Sequence, residues 1–285
     1  MRLDVQEELL DLAEAVTPLP RTVVELATAI ASDDVSIKQV VAIVKSDPSL
    51  TAKLLQAANS AAVAPASGVT SVEQTVVLLG LARVLSVAVT GSMGSISDTQ
   101  LAGYAIDADM LWEHAAMSSR VAELIQRRAK VEVGPEVVTA ALLHDLGKVV
   151  LGQVLNAGHL QFARNDVIDL CQAERDLIGL DHAETGALLL ELWNIPDSIA
   201  QAIRFHHRPS ETELPAAQVV YVADAVAWEV AGIPSDTDPE ELATALDALG
   251  LDKDELVSAI EAALMAERGD DDADASQLRR RETDS

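Results

Sequence analysis

Apolar residues recur at three- and four-residue intervals along most of the chain, the spacing that places them on one face of a helix. Leu9, Leu12, Ala13 and Val16 form the first such face. Thr17-Pro18-Leu19-Pro20 predicts its end, because proline lacks the amide hydrogen that a helix interior needs. Val23, Leu26, Ala27 and Ile30 resume the pattern. Ser36 predicts an N-cap ahead of Ile37, Val40, Val41 and Val44. Asp47-Pro48 predicts the next start, with Asp47 as cap and Pro48 at the first helical position, leading into Leu50, Leu54, Leu55 and Ala58. Asn59-Ser60 reads as a C-terminal device, since Asn tolerates left-handed backbone. Ser71 and Gln74 have capping-box spacing before Val72, Val76 and Leu79, and Gly80 predicts the stop.

Gly, Ser, Thr and Asp cluster over 91–107 and predict a break. Longer helices follow, over about 110–130 and about 135–151, then a polar stretch around 156–169. The pattern resumes over 182–193, 197–206, 215–230, 239–249 and 252–267. Strand-type alternation is missing, so the expected fold class is all-α: an N-terminal helical bundle (1–100) packed on a second helical subdomain (101–267). The tail, 268–285, has Leu278 as its one large apolar residue and is expected to be disordered.

Composition supports the helical reading. Apolar residues make up 49% and aromatics 2%, with Ala, Leu and Val dominant. The net charge is −26, and the acidic run Asp270–Asp274 does not account for it. The tail's six carboxylates are offset by four arginines, so the excess belongs to the body. Such a surface repels phosphate backbones and anionic lipid, which argues against direct nucleic-acid or membrane binding. The single cysteine, Cys171, is expected to exclude an intramolecular disulfide, a thiolate zinc site and an iron–sulfur cluster; with no base near it in sequence, it is expected to be inert. The first residues hold no apolar signal core, and the apolar run 84–96 is too short to span a bilayer. A cytoplasmic location is expected.

Candidate chemistry gathers on the six histidines. Leu142-Leu143-His144-Asp145-Leu146-Gly147-Lys148 delivers an imidazole, a carboxylate, a glycine and a lysine within five positions. His144 and Lys148, four apart, are expected on one helix face, and Gly147 leaves room for another element. A divalent cation with a bound phosphate takes such a set: imidazole nitrogen, bridging carboxylate, and a cation for the phosphate. His114 lies in the preceding helix, and a chain reversal near 130–135 brings it toward His144; packing beside Trp112 is the structural alternative. His182 opens a helix, His206-His207 ends one, and Asp224 is flanked by small apolar residues. A carboxylate in such a setting needs a partner. His159 sits apart in the polar stretch. Trp112 and Trp193 are expected as core anchors.

The order His114, His144-Asp145, His182, His206-His207, Asp224 resembles the ligand order of HD-superfamily metal-dependent phosphohydrolases. The whole chain resembles more closely the HDOD (HD-related output domain) family. The first half carries Leu19-Pro20, Ser46-Asp47-Pro48-Ser49-Leu50, Asn59-Ser60 and Leu78-Leu79-Gly80. The second half carries Leu111-Trp112-Glu113-His114, Ala141–Gly147, Gly179–Ala187, Trp193-Asn194-Ile195-Pro196 and His206-His207. The resemblance implies an HD-like second subdomain and a bacterial signal-transduction output or regulatory module acting through signalling-protein partners. Enzymatic activity is generally regarded as lost or unproven in that family. It implies His114, His144, Asp145, His182, His206, His207 and Asp224 as ligands for a divalent metal such as iron, manganese or zinc. The alternative is a phosphohydrolase acting on a small phosphorylated ligand, a nucleotide or phosphodiester, with Asp145 bridging the ions and Lys148 steering phosphate. Arg208-Pro209-Ser210 stands where the Gly-Tyr-Pro motif of cyclic di-GMP phosphodiesterases would follow, so that activity is not expected. No receiver, sensor or cyclase pattern is recognised in the chain, so an input signal is expected from a partner or ligand.

Overall fold

The computed structural model describes residues 20–30, 32, 34–59, 68–92, 101–158, 160–162, 169–235 and 237–265. The helical face expected over 9–16, Ser60, His159 and the tail 268–285 lie outside these residues. So does 93–100, where the boundary between the two halves was expected.

All regular structure among the described residues is helical. In chain order the helices are α1 (Arg21–Ile30), α2 (Ile37–Lys45), α3 (Pro48–Ala58), α4 (Val72–Ser92), α5 (Ala108–Arg128), α6 (Glu136–Leu143) and α7 (Gly147–Ala157). Then come α8 (Leu170–Leu177), α9 (His182–Leu192), α10 (Asp197–Arg204), α11 (Pro215–Val230) and α12 (Pro239–Leu249). A last helix covers 253–265, and short 3₁₀ turns occupy Ala102–Tyr104 and Pro209–Glu211.

Local chemistry sets the starts. The Ser36 side chain accepts from the Gln39 amide, and Asp47 accepts from the amides of Ser49 and Leu50. Each satisfies amides that the first helical turn leaves without a partner. Thr22 also donates to Asp47 at 2.9 Å, tying α1 to the start of α3. Ser71 accepts from the Gln74 amide at 3.1 Å. Gly80, at φ 73° and ψ 162°, breaks α4 as expected, but the chain re-enters a helix at once. Asn59 caps α3 with φ −96°, not left-handed. Its side chain instead bridges, donating to the carbonyls of Leu55 and Val69 and accepting from the Val69 amide at 2.7 Å.

The helix expected over about 135–151 is broken. At its middle, the amides of Leu146, Lys148 and Val149 bond to carbonyls three residues back, at 3.0–3.1 Å. This tighter winding places residues i and i+3 in line. Lys148 therefore lies over Asp145, not over His144 as four-residue spacing predicted. Glu136–Asn156 has the length and apolarity of a membrane span, yet 83% of that stretch is buried within the protein. It is the central core helix pair.

The N-terminal helices α1–α4 pack on one another and dock on the second half through α5 and α6. In that half, α11 lies against α5, α6, α10 and α12, while α9 lies against α7 and α10. One continuous core joins the halves, running from Leu26, Leu54 and Leu85 to Leu142, Leu151 and Leu190. Burying each such side chain stabilises by about 1.5–3 kcal/mol. Trp193 is buried, whereas Trp112 is only partly covered.

Candidate metal centre

Five segments meet at one point inside the second half. Helix α5 contributes His114, and the tight turn between α6 and α7 contributes His144 and Asp145. The first turn of α9 brings His182, the end of α10 His206 and His207, and α11 Asp224. All of these except His207 are less than a tenth exposed, as is Lys148. The structure thus gathers all seven ligand candidates in one cluster, six of them buried and His207 at its edge.

The imidazoles are aimed by their far nitrogens. His144 Nδ1 lies 2.8 Å from the Ala141 carbonyl and His206 Nδ1 2.6 Å from the Ile203 carbonyl. A carbonyl only accepts, so each Nδ1 carries the proton and each Nε2 presents a lone pair. His182 Nδ1 likewise donates to Glu174 at 2.8 Å. The His182 and His144 Nε2 atoms lie 3.4 and 3.5 Å from Asp145 Oδ1. On the other side, His114 Nε2 is 2.8 Å from Asp224 Oδ1, and His144 Nε2 is 3.7 Å from the same oxygen. His144 and His206, each pinned through Nδ1 and unpartnered at Nε2, are arranged as metal ligands are.

Two groups of donor atoms each fall within 4.8 Å of one another: His114, His144 and Asp145, and Asp145, His182 and His206. Asp145 belongs to both, the position of a carboxylate shared by two ions. Buried His144 Nε2 and His206 Nε2 have no hydrogen-bond partner, while Asp145 Oδ1 lies 2.8 Å from the Lys148 ammonium. An orphaned buried polar atom costs about 1–3 kcal/mol, and a cation in each of the two groups would satisfy these nitrogens. The residues fit a divalent metal.

Electrostatics follow from the crowding. Burial pulls the His144 and His206 imidazoles down, and neighbouring histidines add to the effect at His206. Burial alone would raise the Asp145 carboxyl, but His144, Lys148 and His182 outweigh it and hold it well below the ordinary value. Burial opposes the charge on Lys148, yet Asp145 holds it above its ordinary value. The Lys148 ammonium donates to Asp145 Oδ2 at 2.8 Å.

Several participants carried no clear sequence signal. Glu174 is fully buried on α8, a helix not anticipated, and accepts from both the backbone amide and Nδ1 of His182. Tyr104 donates to its other oxygen at 2.7 Å. The available hint was a glutamate at a core-facing position, three residues after Cys171. His114 stacks on Trp228, rings 3.8 Å apart and 14° from parallel, whereas the structural alternative to a ligand role had it beside Trp112. Trp228 comes one helical turn after Asp224, so α11 both binds and braces His114. Cys171 also departs from expectation: it has bases nearby in space, His182 and His207. Burial raises its thiol, but those two rings outweigh burial and lower it.

Gly147 lets α7 and α9 meet, as its small size suggested. A Cβ there would fall 1.9 Å from the His182 carbonyl oxygen and 2.8 Å from the Gly186 amide nitrogen.

The family model of the HDOD domain matches residues 16–209. An uncharacterized protein of Treponema pallidum (strain Nichols) is 26% identical over 206 residues, 69% of this chain and 38% of that protein. The chain thus spans about two fifths of that relative's length. Among solved structures, a "Putative signal transduction protein" from Marinobacter aquaeolei VT8 is similar at TM-score 0.74 and 22% identity, covering 94% of this chain and 64% of the other. A "Putative phosphohydrolase" from Shewanella amazonensis SB2B gives 0.64 and 23%, over 92% and 96%. An HDOD domain protein of unknown function from Geobacter sulfurreducens gives 0.62 and 22%, over 93% and 98%. At these identities the likeness is one of fold.

Proposed function

Because the chain belongs to the HDOD domain family, we propose that it is a signal-transduction output module, acting through protein partners, whose second half is organised around a divalent-metal centre. The observation that carries the metal part is the convergence of orphaned, buried donor atoms on Asp145. The regulatory part is supported by how closed the centre is. Six of its seven candidate ligands are less than a tenth exposed, and among the described residues His207, Arg208, Glu184 and Arg175 at its margin are partly exposed. Arg208 is turned toward Asp181 and Glu184 at the start of α9, 3.7 and 3.4 Å away. A centre of this kind holds helices α5, α6, α9, α10 and α11 in one arrangement. The acidic surface favours partners with cationic faces and opposes nucleic acid.

One observation favours a second reading, a phosphohydrolase acting on a nucleotide or phosphodiester. Asp145 sits in both donor groups, and a divalent pair supplies Lewis-acid polarisation of a phosphoryl oxygen. In that reading Asp145 bridges, Lys148 attracts phosphate, and Glu174 keeps the His182 proton on Nδ1 so that Nε2 stays available.

The deciding experiment is elemental mass spectrometry on full-length protein purified without chelator or polyhistidine tag, beside Asp145→Ala. Stoichiometric iron, manganese or zinc in the wild type, lost in the variant, is the expected result. A wild type that neither holds metal nor takes it up would overturn the metal centre. Turnover of a generic phosphodiester such as bis-p-nitrophenyl phosphate, abolished in the same variant, would favour the second reading.

A further inference from the structure

Helix α8 presents two buried side chains to the centre, Cys171 and Glu174, three residues apart and so on one face. Glu174 grips His182 from behind. Cys171 lies beside it: its sulfur, a ring nitrogen of His182 and a ring nitrogen of His207 are all within 4.8 Å of one another. This group is separate from the two that share Asp145, though it shares His182 with one of them. The Nε2 atoms of His182 and His207 face each other at 2.9 Å. Nδ1 of His182 donates to Glu174, so Nε2 is the nitrogen that faces the His207 ring. Either one proton lies there or a cation does. Buried His206 Nε2, without a hydrogen-bond partner, lies in the neighbouring group with Asp145 and His182.

We propose that Cys171 is a sulfur ligand at the His182–His207 end of the centre, making that end a thiolate–imidazole position. The inference rests on the reading that the centre takes divalent cations. Tetrahedral zinc has bonds of about 2.0–2.3 Å, which set its ligand atoms about 3.3–3.7 Å apart. The trio now lies within 4.8 Å, with the two ring nitrogens 2.9 Å apart, so binding would bring the sulfur in and move the His207 ring outward. On binding, the Cys171 thiol loses its proton to solvent and its sulfur donates an electron pair to the cation; no oxidation is involved. A thiolate selects zinc, cobalt or ferrous iron over magnesium, calcium and manganese. The proposed ligand is thus a soft or borderline divalent ion at this end.

Cobalt(II), titrated into chelator-treated full-length protein, tests this without any assay of activity. The wild type is expected to show a thiolate-to-cobalt charge-transfer band in the near ultraviolet. The chain has a single cysteine, so such a band has only one source. Cys171→Ser is expected to lose it while keeping visible ligand-field bands from the histidines. Cobalt retained by the wild type with ligand-field bands alone would overturn the sulfur ligand and leave the metal centre standing. Cobalt not retained at all, measured by equilibrium dialysis, would overturn both. Because the wild-type spectrum decides by itself, a variant that fails to fold does not blunt the test.

Discussion

Glu174 holds His182 at two points with one oxygen: Oε2 accepts from the His182 backbone amide and from its Nδ1, each at 2.8 Å. The same contact caps the first turn of α9 and selects the tautomer that frees Nε2. Replacing Glu174 with Gln keeps the volume but removes the charge that keeps Nδ1 protonated. Removing a contact of this kind weakens metal binding by about 10–100-fold. Competition against a fluorescent chelator, with the helical circular dichroism checked in parallel, reads this out. Unchanged affinity would mean that Glu174 only caps the helix.

Lys148 and Asp145 form a buried ion pair, and breaking such a pair from one side costs about 3–5 kcal/mol, because the remaining charge is stranded. Lys148→Met is therefore expected to lower the melting temperature strongly in chelator-treated protein. A bound divalent cation compensates the stranded carboxylate, so the deficit should shrink when zinc or manganese is restored. Equal deficits with and without metal would separate Asp145 from the ion.

Gly147→Ala places a methyl group against the His182 carbonyl. Overpacking of this kind costs about 1–3 kcal/mol, and relief requires α7 and α9 to part. Reduced thermal stability together with reduced metal retention is the expected outcome. Wild-type behaviour in both would show that the two helices have slack.

Asp47 accepts from two backbone amides and from Thr22, and these bonds, with the Leu50 amide the strongest, hold its carboxyl below the ordinary value. A carboxyl lowered on folding contributes stability above its unfolded pKa and loses it as pH falls through its folded one. Asp47→Ala should then cost about 1 kcal/mol at neutral pH, and the difference from wild type should vanish toward strongly acid pH. Denaturant titrations at several pH values test it, and a gap independent of pH would assign the effect to helix propensity.

Much of the fold was legible because its signals are local. The caps Ser36 and Asp47, the interruption at Gly80 and the apolar spacing of α1–α3 each depend on neighbours within a few residues. The seven candidate donors were named because their order resembles that of a known family, with five of the chain's six histidines among them. What escaped depends on three-dimensional meeting. Helix α8 buries a glutamate where an apolar residue would announce a core face. Trp228 outcompetes Trp112 for His114 because α11, not the preceding turn of α5, lies over that ring. Lys148 pairs with Asp145 because the chain winds tighter at the ligands than an ideal helix, which spacing alone does not reveal.

That tight winding has a mechanical consequence. Helices α6 and α7 meet end to end at His144 and Asp145, like two shafts sharing a coupling. The N-terminal helices α1 and α4 rest on α6, and α4 also on α5, the helix bearing His114. A twist at the coupling is therefore also a twist of the seat on which the first half sits. Two candidate ligand positions and the seat of the first half thus belong to one short helix and its end.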